Sequence, residues 1–594
     1  MYNTQFSLIS LLLLTGSLGR DVASPSCKCV PGDACWPSEA AWEALNQEVG
    51  GKLIQNEPIA ASCYPGLGAD MADCDYIVTQ WPDQDFQTSN PIGRPLPYNT
   101  TCPPVDYQAG EVATTCTLGD SPSYTVNATT KLDINATMLF AQQHNVRLVV
   151  TGIGHDLIGR SDGYGGLSVW LRYYRNSIDF EETYSSAMGC TEAGWKGSAM
   201  RIDGNWQWRD ISAVARANNV IVTTGGSVSV GAMGWVSGGG HGPATHSHGF
   251  GADQVLEAEV MLADGRVVTA NHCENTDLFR ALRGGGPGYG IILSMTVKAY
   301  PNVDVIAAHH LTIVPQTATV NNSALLDAVS LLLQLYPSLV DAGVAGYSYW
   351  YNHYPVPVVE NSTSGYTHGV WTIGKDEAAA RAALDPVVDR LRGEFGASLS
   401  IRDDYVSYAD YWTFYAAESG LNDPLGDTLL ATSRLIGRDH VADAGDVRAA
   451  VDAVSRAPPG QFHSNCALLV AGGQVVKDGA DPLSGLLPAW RRAAYALGSL
   501  RVVPRHTAIE ERLAIRDDML AKGAALQRLA PGTGAYMSEA DRNDPDYIEN
   551  FYGENYARHL AAKQKYDPDK LFYCPTCVGS EAFVERPDGS LCLA

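Results

Sequence analysis

Between residues 375 and 392 the apolar positions Ala380, Leu384, Val387, Val388 and Leu391 fall at offsets of 0, 4, 7, 8 and 11, one face of a helix. Comparable helical spacing marks residues 134–144 and 555–565, and one more helix is expected near residues 39–49. Short runs rich in β-branched and aromatic residues, at 146–150, 346–351 and 369–373, predict strands between such helices. Residues 255–262 are apolar, stop at Asp264-Gly265 and resume over 266–269, which predicts a hairpin. Elements of both kinds alternate from about residue 120, so the fold class expected is α+β. After Pro301 the pattern changes to a sheet covered by amphipathic helices. No internal repeat or low-complexity segment interrupts it.

Composition narrows the class. The 594 residues are 45% hydrophobic, enough for large cores in two to four domains, and 65 Asp plus Glu against 41 Lys plus Arg leave a balance of −24. With no basic run, such a charge argues against nucleic acid as a partner. An apolar stretch over residues 6–14, followed by the small residues Ser17 and Gly19, has the shape of a secretory leader cleaved before Arg20, although the usual basic start is missing. It is too short to span a bilayer, and no other stretch reaches 18 consecutive apolar residues, so no membrane partner is expected. Sequons at Asn99, Asn127, Asn135, Asn321 and Asn361 agree with an extracellular destination.

The 13 cysteines fit that compartment as a partly bridged set. They crowd the ends, with Cys27, Cys29, Cys35, Cys63 and Cys74 early and Cys574, Cys577 and Cys592 late. Pairing cannot be read from order alone, and the odd total leaves a thiol over. Half a zinc site at Cys574 and Cys577 would need a second ligand pair that the neighbouring sequence lacks. No metal is expected, and His241, His246 and His248, although close in sequence, sit in a segment suited to another purpose.

That purpose is suggested by glycine. A β-branched run ends in Gly152-Ile153-Gly154-His155-Asp156 and continues to Gly159-Arg160-Ser161. Converging backbone N–H groups in such a turn can hold an anion, for example a pyrophosphate. The spacing departs from G-x-G-x-x-G and no apolar helix follows, which disfavours a Rossmann nucleotide site. Residues 224–242 then hold eight glycines in nineteen positions, and Leu282-Arg283-Gly284-Gly285-Gly286-Pro287-Gly288-Tyr289-Gly290-Ile291 repeats the theme. Together the three segments suggest one extended ligand approached closely by backbone.

These motifs, with the closing stretch from Asn555 to Phe572, resemble the vanillyl-alcohol-oxidase superfamily of FAD-linked oxidases, and within it the secreted berberine-bridge-enzyme-like group and its fungal isoamyl-alcohol-oxidase-like members. The likeness is close over residues 119–302 and 530–580, loose over 303–525, and not evident in the first hundred residues. It implies a two-subdomain FAD-binding domain of the PCMH type, formed by residues 120–302 and completed by 526–594. A substrate domain would occupy 303–525, behind a Cys/Pro/Gly-rich segment at 20–119 and a leader at 1–19.

The resemblance also implies roles. His155 stands where the family attaches the flavin 8α-methyl group covalently. Members with two links place a cysteine where this chain has Ser227, whose hydroxyl lacks the nucleophilicity of a thiolate, so a single link is expected. Further FAD contacts are implied at Gly152, Ile153, Gly154, Asp156, Arg160, Ser161, Gly226, Gly231, Gly234, Ser237, Gly238, Gly240, Ile291, Asn555 and Tyr556, although Asn555 would serve equally as a helix N-cap. Tyr536 is the catalytic tyrosine implied by the family, with Asp541 orienting it and Ser538 replacing the family's asparagine. Its phenol would need a cationic or hydrogen-bonding neighbour to act near neutral pH. Gln474 is a third candidate facing the flavin. Asp403 and Asp404, adjacent on a strand, point to opposite faces and cannot easily flank one bond.

The reaction expected is oxidation of an alcohol, small or derived from secondary metabolism, by hydride transfer to flavin N5 with dioxygen reduced to hydrogen peroxide. A carbohydrate oxidase, a dehydrogenase with another acceptor, and a flavin-holding protein without turnover are the alternatives.

Overall fold

A computed structural model describes residues 27–186, 189–317, 321–420, 425–457 and 461–594, so the expected leader lies outside the described residues. Three sheets organise the chain, and each presents an edge or face to one central cavity.

In the first sheet Tyr124–Asn127, Leu167–Trp170 and Leu148–Thr151 run parallel, and Leu53–Gln55 adds an antiparallel edge. Helix Lys131–Gln143 makes the crossover. Its start is fixed by a capping box: Thr130 Oγ1 accepts from the Asp133 amide at 3.2 Å, and the Asp133 carboxylate accepts from the Thr130 amide at 2.9 Å. Trp42 and Leu45 of helix Glu39–Glu48 are buried against Tyr124 and Phe140. The segment before residue 119 therefore supplies to this layer the helix expected near residues 39–49 and, beyond the stapled loops its composition suggests, a strand.

The second sheet is antiparallel, in the order Arg175–Glu181, Ala199–Gly204, Ile291–Lys298, Val255–Met261, Val267–Asn271. Its last two strands are the hairpin marked by Asp264-Gly265, where Met261 pairs with Val267.

The third sheet has seven antiparallel strands: Leu399–Tyr408, Ile306–Pro315, Gly365–Ile373, Ala345–Tyr351, His463–Leu469, Tyr495–Val503 and Thr428–Ile436. One face is covered by helices Ser323–Asp341, Glu377–Phe395, Ala444–Ser455 and Ile509–Leu529. Helix Glu377–Phe395 buries Ala380, Leu384, Val388 and Leu391, the face its spacing predicts. Alternation along each strand then decides the lining of the cavity. Ser348, Trp350, Tyr366 and Ala467 turn to the helices, while Tyr347, Tyr349, Trp371, Cys466 and Leu468 turn the other way, into the cavity. On the edge strand Asp403 reaches His309 and Asp404 reaches His310, on opposite faces.

Six disulfides join Cys27 to Cys592, Cys29 to Cys35, Cys63 to Cys74, Cys102 to Cys116, Cys190 to Cys273 and Cys574 to Cys577, and Cys466 remains a buried thiol. The first of them ties the two ends of the described chain together.

Candidate active site

The three glycine segments, the exposed face of the seven-stranded sheet and the stretches 536–539 and 572–574 enclose one cavity of about 880 Å³. That volume lies at the upper end for sites holding cofactors and small ligands.

Strand Leu148–Thr151 delivers the chain into the turn that carries His155. Gly154 adopts φ +86°, a left-handed conformation that a side chain strains. A Cβ at Gly231 would lie 2.6 Å from Ile153 Cγ1, so the two glycine segments approach backbone to side chain with no room for more. Asp156 fastens the turn: its carboxylate accepts from the amides of Ile158 and Arg160 at 3.1 and 2.9 Å and pairs with the Arg160 guanidinium at 3.1 Å. Arg160 in turn donates to the Met537 carbonyl at 2.9 Å, linking the turn to the C-terminal stretch beside Tyr536. His155 Nε2 lies 2.7 Å from Ser229 Oγ, and Ser229 bonds to Gln84. Burial holds the His155 ring neutral, with its pKa lowered to about 4.

Also in the cavity wall, His241 stands between three groups. Its Nε2 lies 3.1 Å from Glu539, its Nδ1 3.4 Å from the Tyr347 hydroxyl, and its ring meets Tyr536 edge-on at 5.1 Å. A carboxylate accepts only, so His241 Nε2–H donates to Glu539 and Nδ1 is left to accept from Tyr347. Burial, then the charge of Glu539, push the Tyr536 phenol well above its ordinary pKa, against smaller opposite effects of Ser538 and the Gly240 amide. Burial does the same to Tyr347. Both tyrosines are therefore protonated donors at neutral pH. Glu418 also borders the cavity, accepting from His310 at 2.8 Å and from Tyr408. It raises His310 to about 8.

Most residues singled out in the sequence meet here. Gly152, Ile153, Gly154, His155, Asp156, Arg160, Ser161, Gly226, Ser227, Gly231, Gly234, Ser237, Gly238, Ile291 and Tyr536 all border the cavity. Five do not. Gly240 packs under the Trp235 ring, where a Cβ would lie 2.4 Å from Cε3. Asn555 precedes helix Tyr556–Tyr566 without a capping bond and donates instead to the Leu486 carbonyl at 2.9 Å, while Tyr556 bonds Glu581. Gln474 sits on a short helix, Gln474–Lys477, bonded to Asp478 at 2.7 Å. Asp541 accepts from the amide and side chain of Asn543 at 2.8 and 3.0 Å, away from Tyr536. His246 bonds the Ala471 carbonyl at 2.7 Å and His248 stacks on Tyr300, so the three histidines have separate partners.

Five cavity residues were not anticipated as functional: Gln84, His241, which was weighed only as a metal ligand, Tyr347, Glu418 and Glu539. Glu539 lies inside the stretch that pointed to Tyr536, and strand alternation could have suggested Tyr347. Nothing local marks Gln84 or Glu418.

Glycine backbone set against a neutral histidine fits an extended cofactor such as FAD, and comparison with known proteins agrees. Residues 122–271 match the family described as FAD binding domain, and residues 535–579 the family described as berberine and berberine like. The FAD-linked oxidoreductase hmp9 of Hypomyces subiculosus is 52% identical over 98% of this chain and 93% of its own length. That likeness includes most of the first hundred residues, where the motifs alone had shown none. The crystal structure of the VAO-type flavoprotein MtVAO713 from Myceliophthora thermophila C1 is 55% identical, with a TM-score of 0.94 over 96% of this chain and 100% of that one. A glucooligosaccharide oxidase from Acremonium strictum, described as holding 6-S-cysteinyl, 8α-N1-histidyl FAD, shares the fold at 19% identity, with a TM-score of 0.60 over 77% of this chain and 92% of its own.

Proposed function

The chain belongs to the vanillyl-alcohol-oxidase and berberine-bridge-like family of FAD-linked oxidoreductases, and we propose that it is a secreted oxidase of alcohols that holds FAD covalently through His155 alone. Bound FAD would take a hydride from the carbinol carbon and pass the electron pair to dioxygen, releasing hydrogen peroxide. The protein's own residues handle the proton and the environment.

One observation carries the reading. A neutral histidine set in glycine turns and a carboxylate–histidine–tyrosine array border a single cavity. Tyr536, protonated, orients the substrate oxygen by donating to it. Tyr347 takes the hydroxyl proton while giving its own to His241 Nδ1, and Glu539 balances the imidazolium that forms. This assignment moves the base from Tyr536 to His241 and needs neither Asp541 nor Gln474. Trp371, Leu468 and Leu500 give the site an apolar roof, and Glu418 and Glu539 add negative charge. Such a lining favours a neutral, largely apolar alcohol and disfavours a carboxylate substrate. Ser227 in the position of a second link supports monocovalent attachment.

Six disulfides support an oxidising compartment and hence export. Of the five sequons, Asn321 and Asn361 are the exposed ones and the sites we assign to glycans.

The test is made on purified full-length protein. A flavin spectrum that stays with the acid precipitate, and peroxide release on screening alcohols, are expected. Flavin that washes off the precipitate overturns the covalent link. If no alcohol bleaches the bound flavin while a sugar does, the substrate class is wrong.

A further inference from the structure

His155 is gripped from a part of the chain that carries no flavin motif. Gln84 opens the short helix Gln84–Thr88, which Asp83 caps by accepting from the Phe86 amide at 2.8 Å. Its side chain is 1% exposed and lies in the cavity wall. Two hydroxyls converge on its Oε1: Ser227 at 3.3 Å and, more closely, Ser229, itself fully buried. The Ser229 backbone is held by Gln207 Nε2, which donates to its carbonyl at 2.9 Å. The helix is fastened to the body by Asp85 and Arg209 at 2.7 Å, and the segment by Trp81 Nε1, which donates to the Gly426 carbonyl at 2.7 Å.

The direction of each bond follows from valence. An amide oxygen only accepts, so the Ser229 hydroxyl spends its single hydrogen on Gln84 Oε1. Toward His155 it can then offer a lone pair and nothing else. The 2.7 Å contact therefore requires the hydrogen on Nε2. In a neutral imidazole the other nitrogen, Nδ1, must carry the free lone pair.

We infer that Gln84 and Ser229 form a tautomer lock that makes Nδ1 of His155 the nucleophile for flavin attachment, so that the N-terminal segment is a working part of the cofactor site. The inference rests on the proposed histidyl link and deepens it. In the step, Nδ1 forms the bond to the 8α-methyl carbon, which gives up one hydrogen as a proton, and the imidazolium so formed releases its Nε2 proton to water. The displaced electron pair enters the flavin, and dioxygen removes it with the two protons as hydrogen peroxide. Gln84 and Ser229 touch no reacting atom of the flavin and are positioning residues. Burial agrees with their role, since a ring whose pKa is lowered to about 4 stays neutral and nucleophilic at physiological pH.

The experiment measures covalent flavin per chain after acid precipitation in the full-length protein and in Ser229→Ala, Gln84→Met and Gln84→Glu, together with total FAD and melting temperature. The linked nitrogen is read by NMR on the His155 flavopeptide released by proteolysis. Expected are an Nδ1 link in the wild type, near-normal attachment in Gln84→Glu, which remains an acceptor, and about a tenfold slower attachment in Ser229→Ala and Gln84→Met, the effect of one lost hydrogen bond. An Nε2 link in the wild type overturns the lock without any variant. Attachment in Ser229→Ala and Gln84→Met as fast as in the wild type and through Nδ1 also overturns it. Wild-type flavin that dissociates in acid, or that stays bound in His155→Ala, refutes the histidyl link itself, a separate outcome.

Discussion

Two histidines in the wall of one cavity choose partners that differ in kind. His155 is surrounded by an uncharged hydroxyl and amide and is lowered to about 4. Carboxylates instead partner both His241 and His310, and His310, between Glu418 and Asp404, rises to about 8. Burial expels the proton where no negative charge answers it, and at His310 the carboxylates of Glu418 and Asp404 together reverse that balance. The contrast suits the proposed division of labour. A nucleophile that joins carbon must keep its lone pair, whereas a group that receives a substrate's proton needs a charge to stabilise the result.

The strongest way to break the contrast is at its anchor. His155→Ala should retain no flavin through acid precipitation, against full retention in the wild type, as measured by absorbance of the redissolved protein. Next comes the array around His241. His241→Gln keeps a polar side chain without a usable base and should lower kcat/KM about 10²- to 10⁴-fold at unchanged flavin content. An unchanged rate there would move the proton to another group. Tyr536→Phe should slow flavin reduction about tenfold, by loss of one bond to the substrate oxygen. If the rate is unaffected, Tyr536 is structural.

The smallest effect concerns stability and isolates the carboxylate pairing from chemistry. His310 has a pKa raised from 6.5 to about 8, so it binds its proton more tightly folded than unfolded. Its contribution is fully present below pH 6.5 and fades as pH rises through 8. The site is partly open to solvent, which holds the effect below about 1 kcal/mol. Thermal unfolding between pH 6 and 9 should show the wild type losing this margin and His310→Gln lacking it throughout. Parallel curves would rule the pairing out as a source of stability.

The glycine turns around His155 were legible in the sequence and the array around His241 largely was not. Close backbone approach demands glycine, so Gly152, Gly154, Gly231 and Gly238 leave a dense local record, and His155 is embedded in it. Helix Glu377–Phe395 and the hairpin at Asp264-Gly265 were readable for the same reason, since their signals lie within a few residues. Tyr347, His241 and Glu539 come from a strand, a loop and the C-terminal stretch, nearly two hundred residues separating the last from the first, and none has a local signature of its task. Asp541 was implied by the family stretch around Tyr536, and here one of its oxygens accepts from Asn543.

Chain order thus settles the α+β class and the glycine turns in which His155 sits, because periodicity, turn chemistry and backbone clearance are short-range requirements. Disulfide pairing, the approach of Gln84 to Ser229, and the choice of which tyrosine meets His241 belong to the folded molecule. They depend on contacts between residues far apart in sequence, and such contacts exist only once the sheets have packed and strand alternation has decided which side chains face the cavity.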